Sequence, residues 1–178
     1  MKTYNLEFEQ FIDLPIDDVF SFFSKPENLS LITPPRLKFH IITPTPLEMK
    51  DGQLIDYSLT ILYTLKLHWR TLITYYDKPR KFIDQQIKGP YSLWHHTHTF
   101  EEKDGGTIIK DNLTYAIPMG IIGRIVHFLY IRHDINGIFK YRHKILDKIF
   151  SAKIYTKLVS KSNLRVHNKV RIQFIATS

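Results

Sequence analysis

A change of hydrophobic period near Pro118 limits what this chain can fold into more than any other feature. From Lys38 to Ala116, apolar and polar residues largely alternate, as they do in strands with one buried face. After Pro118 the apolar residues recur at every third or fourth position, which predicts a helix of roughly 28 residues, about 40 Å long. A helix of that length can cross a whole sheet. The sequence therefore predicts an α+β protein in which a sheet precedes one long C-terminal helix.

Short connections between the predicted strands indicate that the sheet is antiparallel, because Asp77-Lys78-Pro79 and Gly89-Pro90 leave no room for crossovers. A long strand or bent strand pair carries one apolar face, formed by Tyr57, Leu59, Ile61, Tyr63, Leu65, Leu67 and Trp69. The alternation of this strand or pair begins at Phe39–Ile42. Further strands are predicted at Tyr4–Ile12, Arg70–Tyr76, Lys81–Ile87, Leu93–Glu101 and Thr107–Ala116, so the sheet has about six or seven strands.

Two short helices are predicted after the first strand. Pro15 suits a first helical turn, and apolar residues at helical spacing carry that helix to about Ser24. The sequence Ser24-Lys25-Pro26-Glu27 has the form of a capping box, which predicts a second helix that ends before Thr33-Pro34-Pro35.

The apolar residues of the final helix are expected to form one stripe, which encloses a ligand together with the apolar face of the sheet. Arg132 and Arg142 also lie on this helix and could meet an anionic head group, although an arginine on a long helix is more often solvated. The stripe comprises Ile125, Phe128, Leu129, Ile135, Ile138, Phe139, Arg142, Ile145, Leu146, Ile149 and Phe150.

Length and charge predict one domain over residues 1–150 and a basic extension over residues 151–178. The extension holds six basic and no acidic residues, so it accounts for six of the eight net positive charges of the 178-residue chain. The nearly balanced body argues against a nucleic-acid or anionic-membrane partner. Only the extension could meet phosphates or anionic lipid, since its charges are spaced by four from Lys153 to Lys169. The longest apolar stretch, Ile117 to Ile131, is interrupted by Arg124 and His127, so no membrane span is expected. Because the chain has no cysteine and no signal-like apolar segment at its start, we expect a cytoplasmic protein.

Sequence motifs for cofactors and for common hydrolases are missing. The chain contains no G-x-S-x-G, Walker loop, Rossmann fingerprint or H-E-x-x-H. We therefore expect no bound cofactor.

The run from Phe82 to Phe100 resembles a known family signature, F-x-D-x-Q-x-x-G-P-F-x-x-W-x-H-x-H-x-F, with Tyr91 in place of the usual Phe. This is the signature of bacterial ligand-binding SRPBCC proteins, the branch related to polyketide cyclase/dehydrases. Pro26-Glu27-Asn28-Leu29 and Phe139-Lys140-Tyr141-Arg142 also look like that family, so the resemblance covers about residues 4–150. It implies the helix-grip fold of the START-like superfamily, with a cavity for a small hydrophobic or amphipathic ligand.

Several polar residues are expected to converge inside that cavity. Residues two apart share one face of a strand, and a hairpin at Gly89-Pro90 would bring the polar faces of two strands together. If the side chains of Trp94 and Phe100 point to the concave face, then so do the neighbouring acidic, imidazole and phenol groups. The candidate ligand-binding residues are Asp84, Gln86, Trp94, His96, His98, Asp111 and Tyr115.

The residue types leave four interpretations of these side chains open. They could form a buried hydrogen-bonded network that only stabilises the sheet, or they could orient the polar end of a ligand. A histidine paired with Asp84 could instead move a proton in a cyclase or dehydratase reaction. Finally, His96 and His98 with Asp84 or Asp111 could complete a two-histidine, one-carboxylate site for iron or zinc, although we expect no resident metal. The sequence leaves the ligand and the oligomeric state open.

Overall fold

Seven antiparallel strands form one sheet in the computed structural model, which describes residues 1–61 and 64–151. The strands are β1 Thr3–Ile12, β2 His40–Ile41, β3 Leu54–Ile61, β4 Leu65–Asp77, β5 Lys81–Lys88, β6 Leu93–Lys103 and β7 Gly106–Ala116. Their order across the sheet is β1-β7-β6-β5-β4-β3-β2, so the first strand pairs with the last. The predicted antiparallel sheet is confirmed.

The long apolar stretch between residues 54 and 77 forms a hairpin of β3 and β4. Tyr57 lies opposite Trp69 and Leu59 lies opposite Leu67, so the two strands present their apolar residues on one face. Of the two predicted alternatives, one long strand or a bent strand pair, the structure shows the pair. The separate strand predicted at Arg70–Tyr76 is wrong, because these residues continue β4. Tyr63, which was predicted on the same face, lies outside the described residues.

Short helices fill the stretch between β1 and β2. Helix α1 runs over Ile16–Phe23, and two 3₁₀ helices follow at Pro26–Ser30 and Pro35–Leu37. Val19 and Phe20 of α1 are fully buried, and the Phe20 ring packs edge-on against Phe82 and Phe100 of the sheet. The burial of one such aromatic side chain stabilises the fold by about 1.5–3 kcal/mol.

The predicted capping box at Ser24 is wrong. The hydroxyl of Ser24 donates back to the carbonyl of Ser21, and the carboxylate of Glu27 accepts the backbone N–H of Leu47, 20 residues further on. The 3₁₀ helix begins at Pro26, because proline fits the first helical position and needs no partner for a backbone N–H. The box would have required the helix to begin earlier.

One long helical element follows β7. Helix α2 runs over Gly120–Val126, a π-helical segment follows at His127–Ile131, and helix α3 runs over Arg132–Phe150. The stripe residues of α3 pack against the sheet: Ile135, Phe139, Leu146 and Phe150 are buried. The predicted long C-terminal helix is therefore confirmed.

The prediction of a single stripe from Ile125 to Phe150 is wrong for its first part, which is exposed. Ile125 is 55% exposed, and Phe128 and Leu129 are each 68% exposed. The π-helical segment explains the difference, because it adds about one residue to a turn and one residue corresponds to about 100° of rotation. Apolar residues before the segment are therefore rotated away from the face that α3 presents to the sheet.

An ion pair joins the connection after α1 to the final helix. Arg36, in the second 3₁₀ helix, contacts the carboxylate of Asp134 in α3 at 2.8 Å.

No helix within residues 1–61 and 64–151 is both long enough and apolar enough to cross a membrane. Apart from Ser151, the predicted basic extension lies outside the described residues.

Candidate functional site

A cavity of about 240 Å³ lies between the concave face of the sheet and the final helix. One buried water needs about 10–15 Å³ on the same measure, so the cavity has room for an organic molecule. Its wall is mostly apolar and combines helical and strand residues. Prominent among them are Phe22, Phe23, Ile32, Ile135 and Ile138 from the helices and connections, and Tyr57, Leu59, Trp69, Ile73, Phe82 and Trp94 from the strands.

Four ionisable side chains from three adjacent strands meet at one point of the sheet, and we call them the Asp–His quartet: Asp84, His96, His98 and Asp111. The first three line the cavity, and Asp111 lies behind the imidazoles. Asp84 of β5 pairs in register with His96 of β6, and His98 pairs with Asp111 of β7. Because residues two apart on a strand point to the same face, both imidazoles lie between the two carboxylates. The hairpin at Gly89-Pro90 thus brings these groups together as the sequence predicts.

Each imidazole contacts both carboxylates. The Nε2 atom of His98 forms a hydrogen bond of 2.9 Å with Asp84, and the Nδ1 atom of His96 lies 3.5 Å from the same carboxylate. On the other side, Asp111 Oδ1 lies 3.1 Å from His96 Nε2 and 2.7 Å from His98 Nδ1. These two contacts lack hydrogen-bond geometry, so the three atoms have no hydrogen-bond partner among the described residues. Asp111 therefore acts on the imidazoles as an ion-pair partner.

The quartet separates the pKa values of its two histidines. Burial and the charge of His98 lower the pKa of His96, and its two carboxylate neighbours only partly offset this. Burial also acts to lower the pKa of His98, but the charge and contact of Asp111, followed by Asp84, outweigh it and raise that pKa. Near pH 6.5, therefore, His98 holds a proton more readily than His96.

Both carboxyl groups stay ionised. Burial acts to raise the pKa of Asp111, but the charge of His98 and the contacts of both imidazoles hold it well below 3.8. Burial likewise acts to raise the pKa of Asp84, and the hydrogen bond from His98 with the charges of both histidines and of Arg142 lowers it overall. Near and below pH 6.5, the directions of these shifts favour two anionic carboxylates with a protonated His98.

The other predicted residues fall in three different places. Trp94 lines the cavity beside Trp69, with the two ring centroids 5.2 Å apart. Gln86 lies away from the lining, because its amide binds the backbone N–H and carbonyl of Tyr91 and so stabilises the turn between β5 and β6. Tyr115 is buried behind the wall, and its hydroxyl forms a hydrogen bond of 2.8 Å with His127.

Two polar features of the cavity wall are hardly indicated by the sequence. Arg142 of α3 lines the cavity with its guanidinium 5.0 Å from the Phe139 ring, and its Nε atom is buried without a hydrogen-bond partner among the described residues. Thr71 is the second feature, since its hydroxyl bonds to the Tyr57 hydroxyl at 2.9 Å and to the Trp69 indole at 3.1 Å. Arg132, the other candidate arginine, is exposed.

Three members of the quartet have the residue types of a metal site. Asp84, His96 and His98 each offer a ligand atom, and these atoms lie within 4.8 Å of one another. A metal at this place would have to replace the hydrogen bond between His98 and Asp84 and displace the proton that His98 holds. A metal ion and a proton would therefore compete for the same three groups.

The arrangement of the sheet around the long helix is the helix-grip fold, the START-like/SRPBCC fold that the sequence resemblance implies. A similar solved structure is the di-domain ARO/CYC StfQ from the steffimycin biosynthetic pathway, with a TM-score of 0.64 and 14% identity, covering 83% of this chain and 50% of that one. Protein CV1439 from Chromobacterium violaceum has a TM-score of 0.64 and 10% identity, covering 84% and 99% of the two chains. Ara h 8.0201 has a TM-score of 0.56 and 16% identity, covering 82% and 98%.

At these identities the likeness is one of fold. No family model matches the chain. No curated protein matches it either. The function therefore has to be argued from the cavity and the groups that line it.

Proposed function

We propose that the protein binds a small hydrophobic or amphipathic molecule in the cavity between the sheet and the final helix. The observation that carries the proposal is an apolar wall interrupted by a few convergent polar groups, which is the usual form of a small-molecule site. The START-like fold supports it, because the helix and the sheet meet around a space that side chains do not fill.

The polar end of the ligand would be held by Asp84, His96, His98 and Arg142. The guanidinium carries N–H groups but no acceptor, and its Nε–H has no partner among the described residues. An oxygen on the ligand would satisfy this donor, and satisfying a buried donor is worth about 1–3 kcal/mol. Trp69 and Trp94 would contact the apolar body. We leave Gln86, Tyr115 and Asp111 out of the contact surface, since the first two bind other groups and Asp111 lies behind the imidazoles.

Native mass spectrometry of the protein after gentle purification tests the proposal. We expect a bound organic molecule that is lost when the half-buried lining residue Ile138 is replaced by Trp, which fills the cavity. Ile87→Trp is the matched control, because Ile87 is 53% exposed on β5 and lies outside the lining. If no molecule is carried and apolar fluorescent probes bind equally to both variants, the cavity is not the binding site.

A second candidate is a cyclase or dehydratase reaction in the same cavity. The opposite pKa shifts of His96 and His98 favour it, because separated pKa values provide one group that accepts a proton and another that donates one. In that case His96 would act as the base and protonated His98 as the acid. The molecule found by mass spectrometry would then lose water or close a ring when incubated with the protein, and His96→Gln would stop the reaction without preventing binding.

The proposed ligand-binding unit is residues 1–150, with residues 151–178 as a basic extension. We propose the cytoplasm as its location, which the absence of cysteine supports.

A further inference from the structure

Exposed apolar side chains are concentrated on one part of the final helix. In the described part of the chain, seven of the exposed large apolar residues lie within an 11-residue stretch, and we call them the α2 patch. Their exposed fractions run from 39% to 72%. The members are Met119, Ile121, Ile122, Ile125, Val126, Phe128 and Leu129.

The α2 patch forms one continuous surface. At about 100° per residue, the members within α2, from Ile121 to Val126, fall within an arc of about 140°, and the buried Gly123 falls outside that arc. Phe128 and Leu129 extend the exposed surface into the π-helical segment. Large contiguous apolar surfaces are uncommon on monomeric proteins and mark places where another surface is bound.

Positive charge borders the α2 patch. Arg124 is exposed at the edge of the arc, and it lines one cleft together with Lys2 and Met119. Residues 117–133 contain no aspartate or glutamate. The next acidic residue, Asp134, is paired with Arg36 at 2.8 Å.

The positive charge beside the α2 patch decides which kind of partner can bind there. A two-fold contact between two copies would bring Arg124 and Lys2 of both chains together, which is unfavourable. Residues 152–178 carry six basic and no acidic groups, so covering the patch with them would also bring like charges together. An anionic bilayer surface complements both the apolar residues and the bordering cations.

We propose that the α2 patch docks the protein on an anionic lipid surface. The apolar residues of α2 and the π-helical segment enter the outer part of the bilayer, while Arg124 and Lys2 contact anionic head groups. Tyr130 and Ile131, which directly follow the patch, line the cavity. Docking therefore brings the segment that closes this end of the cavity onto the lipid surface, where a lipid-soluble molecule can pass between bilayer and cavity.

Vesicle flotation with the full-length protein tests this proposal. Vesicles of phosphatidylcholine alone are compared with vesicles that also contain phosphatidylglycerol, at low and high salt. We expect binding to the anionic vesicles that weakens with salt. Replacing Phe128 and Leu129 together by Gln should weaken it at least about tenfold, since affinity scales with the inserted apolar area. Arg124→Gln should weaken binding to the anionic vesicles and leave the weak binding to neutral ones unchanged.

The matched control is the double replacement of Leu31 and Ile87 by Gln, because each is 53% exposed outside the patch. All of these side chains are exposed, so melting temperatures should stay within a few degrees of the parent. If both double variants bind anionic vesicles as well as the parent does, the basic extension carries the binding and the proposal is wrong.

Two other results would also overturn it. Light scattering that shows a dimer in the parent and a monomer in the Phe128 and Leu129 variant, without vesicle binding, would assign the α2 patch to a second copy. Vesicle binding that appears only after the chain is cut behind Ser151 would assign the patch to the extension. Because vesicle binding is measured without a cavity ligand, these outcomes do not depend on the proposed function.

Discussion

Asp111→Asn is the sharpest test of the charge state of the Asp–His quartet. The carboxylate of Asp111 has a side-chain exposure of 4% and lies 2.7 Å from His98 and 3.1 Å from His96. Asparagine has nearly the same shape but no charge, so the replacement leaves the protonated His98 with Asp84 as its remaining anionic partner. Removing one partner of a buried ion pair costs about 3–5 kcal/mol. Since the protonated His98 keeps its hydrogen bond with Asp84, we expect the lower end, about 3 kcal/mol, or a melting temperature lower by about 6–12 °C.

The loss should depend on pH in a defined way. The lowered pKa of Asp111 contributes stability that is present above about pH 3.8 and is lost as the pH falls through its folded value. The raised pKa of His98 contributes stability that is present below about pH 6.5 and is lost as the pH rises through its folded value. The difference in unfolding free energy between parent and variant should therefore be largest between about pH 4 and 6.5 and smaller on both sides.

Urea unfolding followed by tryptophan fluorescence at several pH values measures this difference. Asp56→Asn is the matched control, because Asp56 also accepts from a histidine and an arginine on the sheet but has a side-chain exposure of 20%. Water screens such a pair, so the control should lose much less stability. If Asp111→Asn loses no more than the control, or if its loss grows steadily above pH 7, the quartet is a neutral hydrogen-bonded cluster and our charge assignment is wrong.

Three further expectations follow from the site. Arg142→Met should weaken binding of an oxygen-bearing ligand about tenfold or more, because a hydrogen bond to a charged group is worth about 1.5–3 kcal/mol. Lys140→Met is the control: Lys140 is exposed, so the affinity for the same ligand, measured by titration, should be unchanged. His96→Ala should weaken ligand binding or change its pH dependence between about 5 and 8; a purely structural His96 would instead lower the melting temperature with affinity unaltered. Removal of residues after Phe150 should leave a soluble body with a cooperative thermal transition, and aggregation of that product would show that the extension completes the fold.

The sheet and the long helix could be predicted from the sequence because hydrophobic period reports directly which face of an element is buried. The convergence of Asp84, His96 and His98 followed from the same rule, once a tight hairpin at Gly89-Pro90 set the register. Both predictions rest on local geometry that repeats along the chain.

The remaining features depend on local departures from the regular hydrophobic period. The π-helical segment rotates the first part of the apolar stripe outward, and nothing in the spacing of Ile125, Phe128 and Leu129 marks that rotation. Gln86 shares its strand with Asp84, but the neighbouring turn supplies two backbone groups that its amide binds at closer range. The role of Arg142 depends on what faces it across the cavity, which no pattern on its own helix can indicate.

The Asp–His quartet also affects the electrostatic free energy of ligand binding in the cavity. Near pH 6.5 the raised pKa of His98 and the guanidinium of Arg142 offset the negative charges of the two quartet carboxylates, so this part of the interior is close to electrically neutral. A neutral guest can then enter without carrying a counterion, and the strength of its retention should be nearly insensitive to ionic strength. Attraction between the basic protein and an anionic surface decays with added salt. Ligand binding in the cavity and attachment of the protein to a surface would thus differ in their dependence on salt. A rise in salt concentration alone could release the protein from a surface while the ligand stays in the cavity.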